Sequence, residues 1–333
     1  MNQTFQDFEV IVVDNGSTDN SAAVLESYVP RFGGRLKTSR IEKNSGGPSP
    51  AYNKAVALSR GKYVFVMDSD DLLMNNALEI LYNFAEKNDA DVVNMDRSYV
   101  FFSDTEKPFP TQENLRLNLW SKRVVDKAAF EPDDIGERVK NICGGFMGRT
   151  AWQKFVRRDL LMENNITFPE NARIAHDTVW AAEVFCCARK ILTISAPLYI
   201  YREVASSISH SKKPPQESIP SSMKSTLYVL NHVDKFLAGQ KFFQENPQYH
   251  WALLNYFERI CLGDLIYLTQ DSALPAEPEF FGILKPEMAN TLGEYGATLV
   301  YLLTASNFAR SRLLMASQRI AELENQLKQI QGS

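Results

Sequence analysis

Little in this sequence is extreme, and each shortage closes off a class of function. Only four of 333 residues are cysteine: Cys143, Cys186, Cys187 and Cys261. None stands in a CxxC pair or at metal-ligand spacing, so neither a disulfide framework nor a structural zinc site is expected. Cys186 and Cys187 adjoin in a stretch that reads as buried helix, the setting of reduced core thiols. A basic excess is also absent: 36 Lys and Arg stand against 40 Asp and Glu, a net charge of −4. No nucleic-acid partner is therefore expected. No apolar run approaches the roughly 18–20 residues of a membrane span, and no signal peptide opens the chain. A cytoplasmic chain follows from this reading. With 44% apolar and 23% charged residues, the composition is that of a globular protein long enough for a catalytic domain and an accessory region.

What is present alternates. Phe8–Val13 and Tyr63–Met67 are short, nearly continuous apolar runs that each end at an aspartate, and Asp91–Met95 is a third. Such runs read as buried strands. Between them lie helical spacings through Ala22, Leu25 and Val29, and through Leu78, Ile80, Leu81, Phe84 and Ala85. Strand and helix in alternation predict an α/β fold with a mainly parallel sheet, whose ligands bind beyond the carboxyl ends of the strands. From about 103 to 135 the sequence reads as an irregular insertion, followed by a helix over 178–189 and a strand over 198–201. Residues 211–220 are rich in Ser, Lys and Pro and read as a linker or lid. A largely helical region follows to about 310, in which His232 and His250 read as structural. Leu313, Ala316, Ile320, Leu323, Leu327 and Ile330 then repeat at spacings of three and four, the seam of a short coiled coil that predicts a homo-oligomer through 313–330.

The sharpest motif is Asp68-Ser69-Asp70-Asp71. Three carboxylates in four residues repel one another unless a cation or strong donors compensate. A divalent ion bridging carboxylate and diphosphate oxygens does so. A helix-cap role is already filled here, because Asn76 and Glu79 have the spacing of a capping box. Asp14-Asn15-Gly16-Ser17-Thr18-Asp19 ends another strand, the side expected for a nucleotide. Alone it is equally a turn with a helix cap. Asn44-Ser45-Gly46-Gly47-Pro48, followed by Ala51-Tyr52-Asn53, allows close backbone approach to a ligand. It matches neither the P-loop nor the dinucleotide fingerprint.

Taken in order, these strings resemble the family 2 glycosyltransferases of the GT-A fold. Gln3–Glu9 with Val13–Asp19 is similar to that family's first signature. Asn44–Asn53 with Gly61–Tyr63 and Met67–Asp71 is similar to its second, the DXD element included. Trp152, Phe168-Pro169-Glu170, His176-Asp177 and Leu198–Arg202 with Ser207-Ile208 are similar to its acceptor half. The resemblance implies a GT-A catalytic domain over 1–210, with a nucleotide-sugar half (1–102) and an acceptor half (103–210). A helical accessory region (211–310) and a coiled-coil tail (311–333) would follow. It also implies that the family's first strand and helix, a strand central in its sheet, belong upstream of the position that Met1 matches.

The resemblance implies transfer of a sugar from a nucleotide-diphosphate donor to a glycan or lipid-linked acceptor, with inversion. Asp177 is its general base. Asp14, Asn15, Ser17, Asn44, Gly46, Asn53, Asp68 and Arg202 would contact the nucleotide-sugar. Asp70 and Asp68 would hold Mn²⁺ or Mg²⁺, with His210 completing the shell. Trp152 and His176 would face the acceptor. Asp177 is open to a plainer reading as a helix cap, Trp152 as a core residue and His210 as a solvated loop residue. Three positions depart from the family: Asn15 where aspartate is common, Tyr52 where arginine is common, and His176 in place of glutamate. A transferase-like scaffold without activity is the alternative class, favoured by His176 and the missing opening strand and opposed by the intact acids. A nucleotidyltransferase shares a related core but lacks the acceptor-half motifs. A lipid-linked acceptor would bring the enzyme to the inner membrane face without spanning it.

Overall fold

The computed structural model describes residues 2–104, 109–204, 215–269, 309, 312–313 and 315–328, with backbone alone at 215–221, 223 and 262–269. In chain order the elements are β1 (Val10–Asp14), α1 (Ser21–Tyr28), β2 (Leu36–Arg40), α2 (Ser49–Leu58), β3 (Tyr63–Phe65), β4 (Leu72–Leu73) and α3 (Ala77–Asn88). Next come β5 (Val92–Met95), β6 (Arg97–Ser103), β7 (Arg116–Leu119), β8 (Ala128–Phe130), α4 (Ile135–Gly144), β9 (Lys154–Arg157), α5 (Arg158–Glu163) and α6 (His176–Cys187). β10 (Ile191–Ile194), β11 (Tyr199–Val204), α7 (Pro215–Ala238), α8 (Lys241–Glu245) and α9 (Pro247–Thr269) complete the series. Helix also covers 315–328. Two compact units are present: residues 1–212 with 236–253, and 213–235 with 254–333.

The α/β class holds, but the sheets are mixed, not mainly parallel. The five-stranded sheet runs β3-β9-β5-β10-β8 and the four-stranded one β4-β11-β6-β7, while β1 and β2 pair by themselves. Parallel pairing is confined to β1–β2, β5–β10 and β6–β11. β9 lies antiparallel between β3 and β5. β7 and β8, both antiparallel to their neighbours, come from the stretch that reads as irregular. A strand of three or four residues with most of its side chains exposed leaves too weak a period to be read against the polar text around it. Helix α7 likewise begins at Pro215, inside the expected linker.

α3 shows how the first unit is locked together. Ala77, Leu81 and Ala85, each four residues apart and therefore on one stripe, are fully buried against Val93, Met95, Leu192, Ile194 and Tyr199. Burying Leu81 alone stabilises the unit by about 2 kcal/mol. The capping box does not form: Asn76 makes no side-chain cap bond. Residues near the start of the chain take its place. Gln3 accepts from the Leu78 N–H at 3.0 Å and donates to the Met74 carbonyl at 2.7 Å, and Thr4 donates to Glu79 at 2.6 Å. These long-range bonds satisfy the open helix end.

α6 is the other fixed element. Its residues from Val179 to Cys186 are all buried. The last turn is closed by the buried guanidinium of Arg138, which donates to the carbonyls of Phe185 and Ala188 and to that of Arg189 at 2.9 Å. The first turn is thereby held rigidly at the other end, where His176 and Asp177 stand. In the second unit, Val229, Leu230, Leu254, Phe257 and Cys261 are buried.

Candidate active site

The first bank of the site follows β1. Asp14, buried at the strand's end, accepts from the Ser17 N–H at 2.9 Å through one oxygen and from Arg40 at 2.8 Å through the other. Bonds from Ser17, with Arg40 beside it, hold its carboxyl below the usual carboxylate range. Arg40 also donates to the Ser17 carbonyl at 3.0 Å. Asn15 donates to the Gly47 carbonyl at 2.9 Å and accepts from the Ser45 hydroxyl at 2.9 Å. Asn44 accepts from the Gly46 N–H at 2.8 Å. The two loops are thus stitched to each other. Gly16 allows this: at φ 72° it lies so close that a Cβ there would fall 2.5 Å from the Asn44 nitrogen.

Asn53 has a structural task. Its amide accepts from the Phe168 N–H at 2.8 Å and donates to the Phe168 carbonyl at 2.9 Å and to Glu170 at 3.1 Å. It fastens α2 to the Phe168-Pro169-Glu170 loop, in place of the donor contact expected for it. The Phe168 ring then lies between Tyr52 (centroids 4.9 Å apart) and Trp180 (4.7 Å, nearly parallel). An aromatic wall therefore runs from the glycine loop to α6.

The second bank is Asp68–Asp71. Asp71 is buried and fully bonded, accepting from the Tyr199 hydroxyl at 2.6 Å and from the Arg202 N–H at 2.7 Å. The same Tyr199 hydroxyl accepts from the Asp68 N–H at 3.1 Å. Burial pushes the Asp71 carboxyl up to about 7. Two tyrosines clamp Asp68, because the Tyr52 hydroxyl donates to its Oδ1. Asp70 is exposed. Of the three neighbouring acids, Asp71 is buried, Asp68 half-buried and Asp70 exposed.

Asp177 comes to the same place from the far half of the chain. Burial raises the Asp68 carboxyl above its usual range; the Asp177 and Asp70 carboxylates add to this, while Tyr52 and His176 oppose it. Burial and the same three acids raise the Tyr52 phenol. These fields put Tyr52, Asp68, Asp70, His176 and Asp177 in one neighbourhood. Asp177 is not the helix cap: that position is Ala175, at φ 57° and without a cap bond. Instead Asp177 occupies the first turn of α6. His176 Nε2 lies 3.3 Å from Asp177 Oδ1. Neither that oxygen nor His176 Nδ1, both buried, has a hydrogen-bond partner, and the buried Nε of Arg202 has none either. Buried polar atoms without partners are costly and rare.

Trp152 is a correction. It is 3% exposed, stacked on Tyr199 at 4.4 Å and packed edge-on to Trp120 at 5.1 Å, so no face is open to a sugar. Its indole belongs to the core beneath the site. His210 lies outside the described residues. Among the described residues no group of three or more His, Cys, Asp or Glu is placed to hold a metal. Tyr52 and Tyr199 escaped the sequence reading as site residues; only their positions opposite acids in the fold reveal them.

Comparisons with known proteins bear on the family and the fold. The sequence model of the family described as "Glycosyl transferase family 2" matches residues 1–163. Glycosyltransferase GlyG of Streptococcus pneumoniae is 28% identical over 223 residues, 64% of this chain and 66% of that protein. The poly(ribitol-phosphate) beta-N-acetylglucosaminyltransferase TarP of Staphylococcus aureus is 37% identical over 186 residues, 55% of this chain and 50% of that protein. The chain thus spans about half to two thirds of the length of these relatives. Crystal structures of S. aureus TarS 1–349 share the fold. One superposes with a TM-score of 0.60 at 19% identity, covering 92% of this chain and 82% of that one. A complex of the same protein with UDP-GlcNAc gives 0.59 at 20% identity, covering 94% and 85%.

Proposed function

The chain belongs to glycosyl transferase family 2 through residues 1–163, and from that premise we propose that it transfers a sugar from a nucleoside-diphosphate donor to a hydroxyl of a glycan or lipid-linked acceptor, with Asp177 as general base. The observation that carries this reading is an Asp177 carboxylate whose charge, with that of Asp70, acts on Asp68, and whose buried Oδ1 accepts no hydrogen bond and has His176 Nε2 beside it at 3.3 Å. A base needs a lone pair that can take a proton, the role we assign to Asp177.

In the proposed step the acceptor oxygen attacks C1 of the donor sugar as the bond from C1 to the diphosphate oxygen breaks. Asp177 takes the acceptor's proton, and the nucleoside diphosphate leaves with the electron pair. One displacement inverts the anomeric centre. Asp68 and Asp70 would hold Mg²⁺ or Mn²⁺, which as a Lewis acid neutralises charge on the leaving diphosphate. Arg202, its Nε unpaired and its backbone N–H fixed by Asp71, is positioned to fork onto phosphate oxygens. Tyr52 keeps Asp68 oriented until the donor arrives, and His176 lies against the base on the acceptor side.

UDP-sugars are the first donors to try, since TarS was crystallised with UDP-GlcNAc. Sugar- or phosphate-containing polymers are the acceptor class that TarP and TarS name. No helix among the described residues is long and apolar enough to cross a membrane; a lipid-linked acceptor would bring the chain to a membrane surface. The test is a thermal-shift screen of nucleotide-sugars with and without Mn²⁺, on this chain and on Asp70→Ala. Stabilisation that needs the metal and is lost in the variant is expected. Donor binding that Asp70→Ala leaves intact would overturn the metal assignment. No binding by any donor would favour the scaffold reading.

A further inference from the structure

The helix at 315–328 has no buried residue at all: every described position from Met315 to Lys328 is exposed, both faces included. Yet one face is apolar. Leu313 is 70% exposed, Ile320 57%, Leu323 47% and Leu327 58%. An isolated helix of this length is marginal in water, so the sequence relies on a partner to keep it folded. With Leu313, Ile320 and Leu327 as a positions and Ala316, Leu323 and Ile330 as d positions, the seam is unbroken over two and a half heptads.

The flanking charges say which partner. The g positions are Arg312, Arg319 and Gln326, and the e positions are Ser317, Glu324 and Gln331. In an antiparallel pair g faces g and e faces e, which sets Arg against Arg or Gln, and Glu against Ser, Gln or Glu. No attractive charge pair arises in any register. In a parallel, in-register pair each g faces the e five residues on in the other strand, and Arg319 meets Glu324 of the second copy twice by symmetry. Within one helix Arg319 pairs with the exposed Glu322, at 2.9 Å. Such surface pairs hold weakly and re-pair readily. In the central heptad Ile320 at a with Leu323 at d favours two strands, while Leu327 at a with Ile330 at d favours more; the central layer, flanked by the Arg319–Glu324 pair, is taken as the deciding one.

We propose that residues 313–330 bind the same segment of a second copy of this chain as a parallel, in-register, two-stranded coiled coil. Its proof needs neither donor nor acceptor, so it stands or falls apart from the catalytic reading. The full chain is examined by light scattering and sedimentation equilibrium across concentration, beside Leu323→Lys, Glu324→Arg and the exchange Arg319→Glu with Glu324→Arg. Circular dichroism and an unchanged melting of the rest of the chain confirm that each variant folds.

The wild type is expected at about twice the 37.8 kDa chain mass. Leu323→Lys should be monomeric. Glu324→Arg sets Arg against Arg and should weaken the dimer by about tenfold, and the exchange should restore it. A monomeric wild type overturns the proposal, and so does a dimer that Leu323→Lys leaves intact. A tetramer overturns the two-strand assignment. If Leu323→Lys dissociates the pair while Glu324→Arg does not weaken it, the parallel orientation is wrong.

Discussion

Asp14 and Asp177 both belong to sequence motifs of the site, yet the structure treats them in opposite ways. Asp14 has both oxygens occupied, by Ser17 and Arg40, and its neighbours Asn15, Asn44 and Ser45 are bonded among themselves. Asp71 is just as fully bonded. Asp177, His176 and Arg202 each keep a buried polar atom with no partner, and Asp70 stays exposed. The loops after β1 and β2 are thus bonded to one another, while Asp177, His176 and Arg202 each keep one buried atom without a hydrogen bond.

The contrast breaks most sharply at Asp177. Asp177→Asn keeps the shape but loses the base. Turnover in a donor-hydrolysis or transfer assay should fall by about 10²–10⁴-fold with thermal stability unchanged. A variant that retains activity would remove Asp177 from the chemistry.

Trp152 tests the scaffold side. Trp152→Ala empties a core position and should cost about 3–5 kcal/mol in denaturant unfolding. Trp152→Phe should leave the acceptor KM unaltered; a specific rise in KM would return this residue to the acceptor site.

Gly16→Ala is expected to cost about 1–3 kcal/mol, because it strains a positive φ and pushes a methyl into Asn44. Donor affinity should fall with it, since the loop that Asn15 and Ser45 join would have to move.

The smallest effect is a pH slope from Asp71. Its folded-state pKa, pushed up to about 7 from 3.8, means that the folded protein prefers the protonated acid. Asp71 therefore contributes stability that is fully present below pH 3.8 and lost as pH rises through 7. Asp71→Asn has no such titration. Melting followed from pH 5 to pH 8 should show the wild type losing ground to the variant; parallel curves would show that Asp71 is ionised throughout.

Much of this was legible from residue order. The aspartate that ends β1 and the helix through Leu81 and Ala85 follow from local pattern, because period and chain polarity are local properties; α6, expected from 178, begins at His176 and takes Asp177 into its first turn. Asn76 shows where such reading fails. Its capping-box spacing with Glu79 was formally right, but Gln3 and Thr4 supply the bonds instead. Spacing cannot foresee a competitor that arrives from elsewhere in the chain. β9 was hidden for a related reason: a four-residue strand lying antiparallel between two others is fixed by its partners.

The sequence by itself determined which chemistry was available: paired acids at 68–70, a second acid at 177, an apolar seam at the tail and no metal cage of cysteine or histidine. Only the tertiary structure decided which of those groups are free to act. Hydrogen-bond saturation depends on partners far apart in sequence, such as Tyr199 for Asp71 and Phe168 for Asn53. A carboxylate's role follows from what remains unbonded after the chain has folded around it.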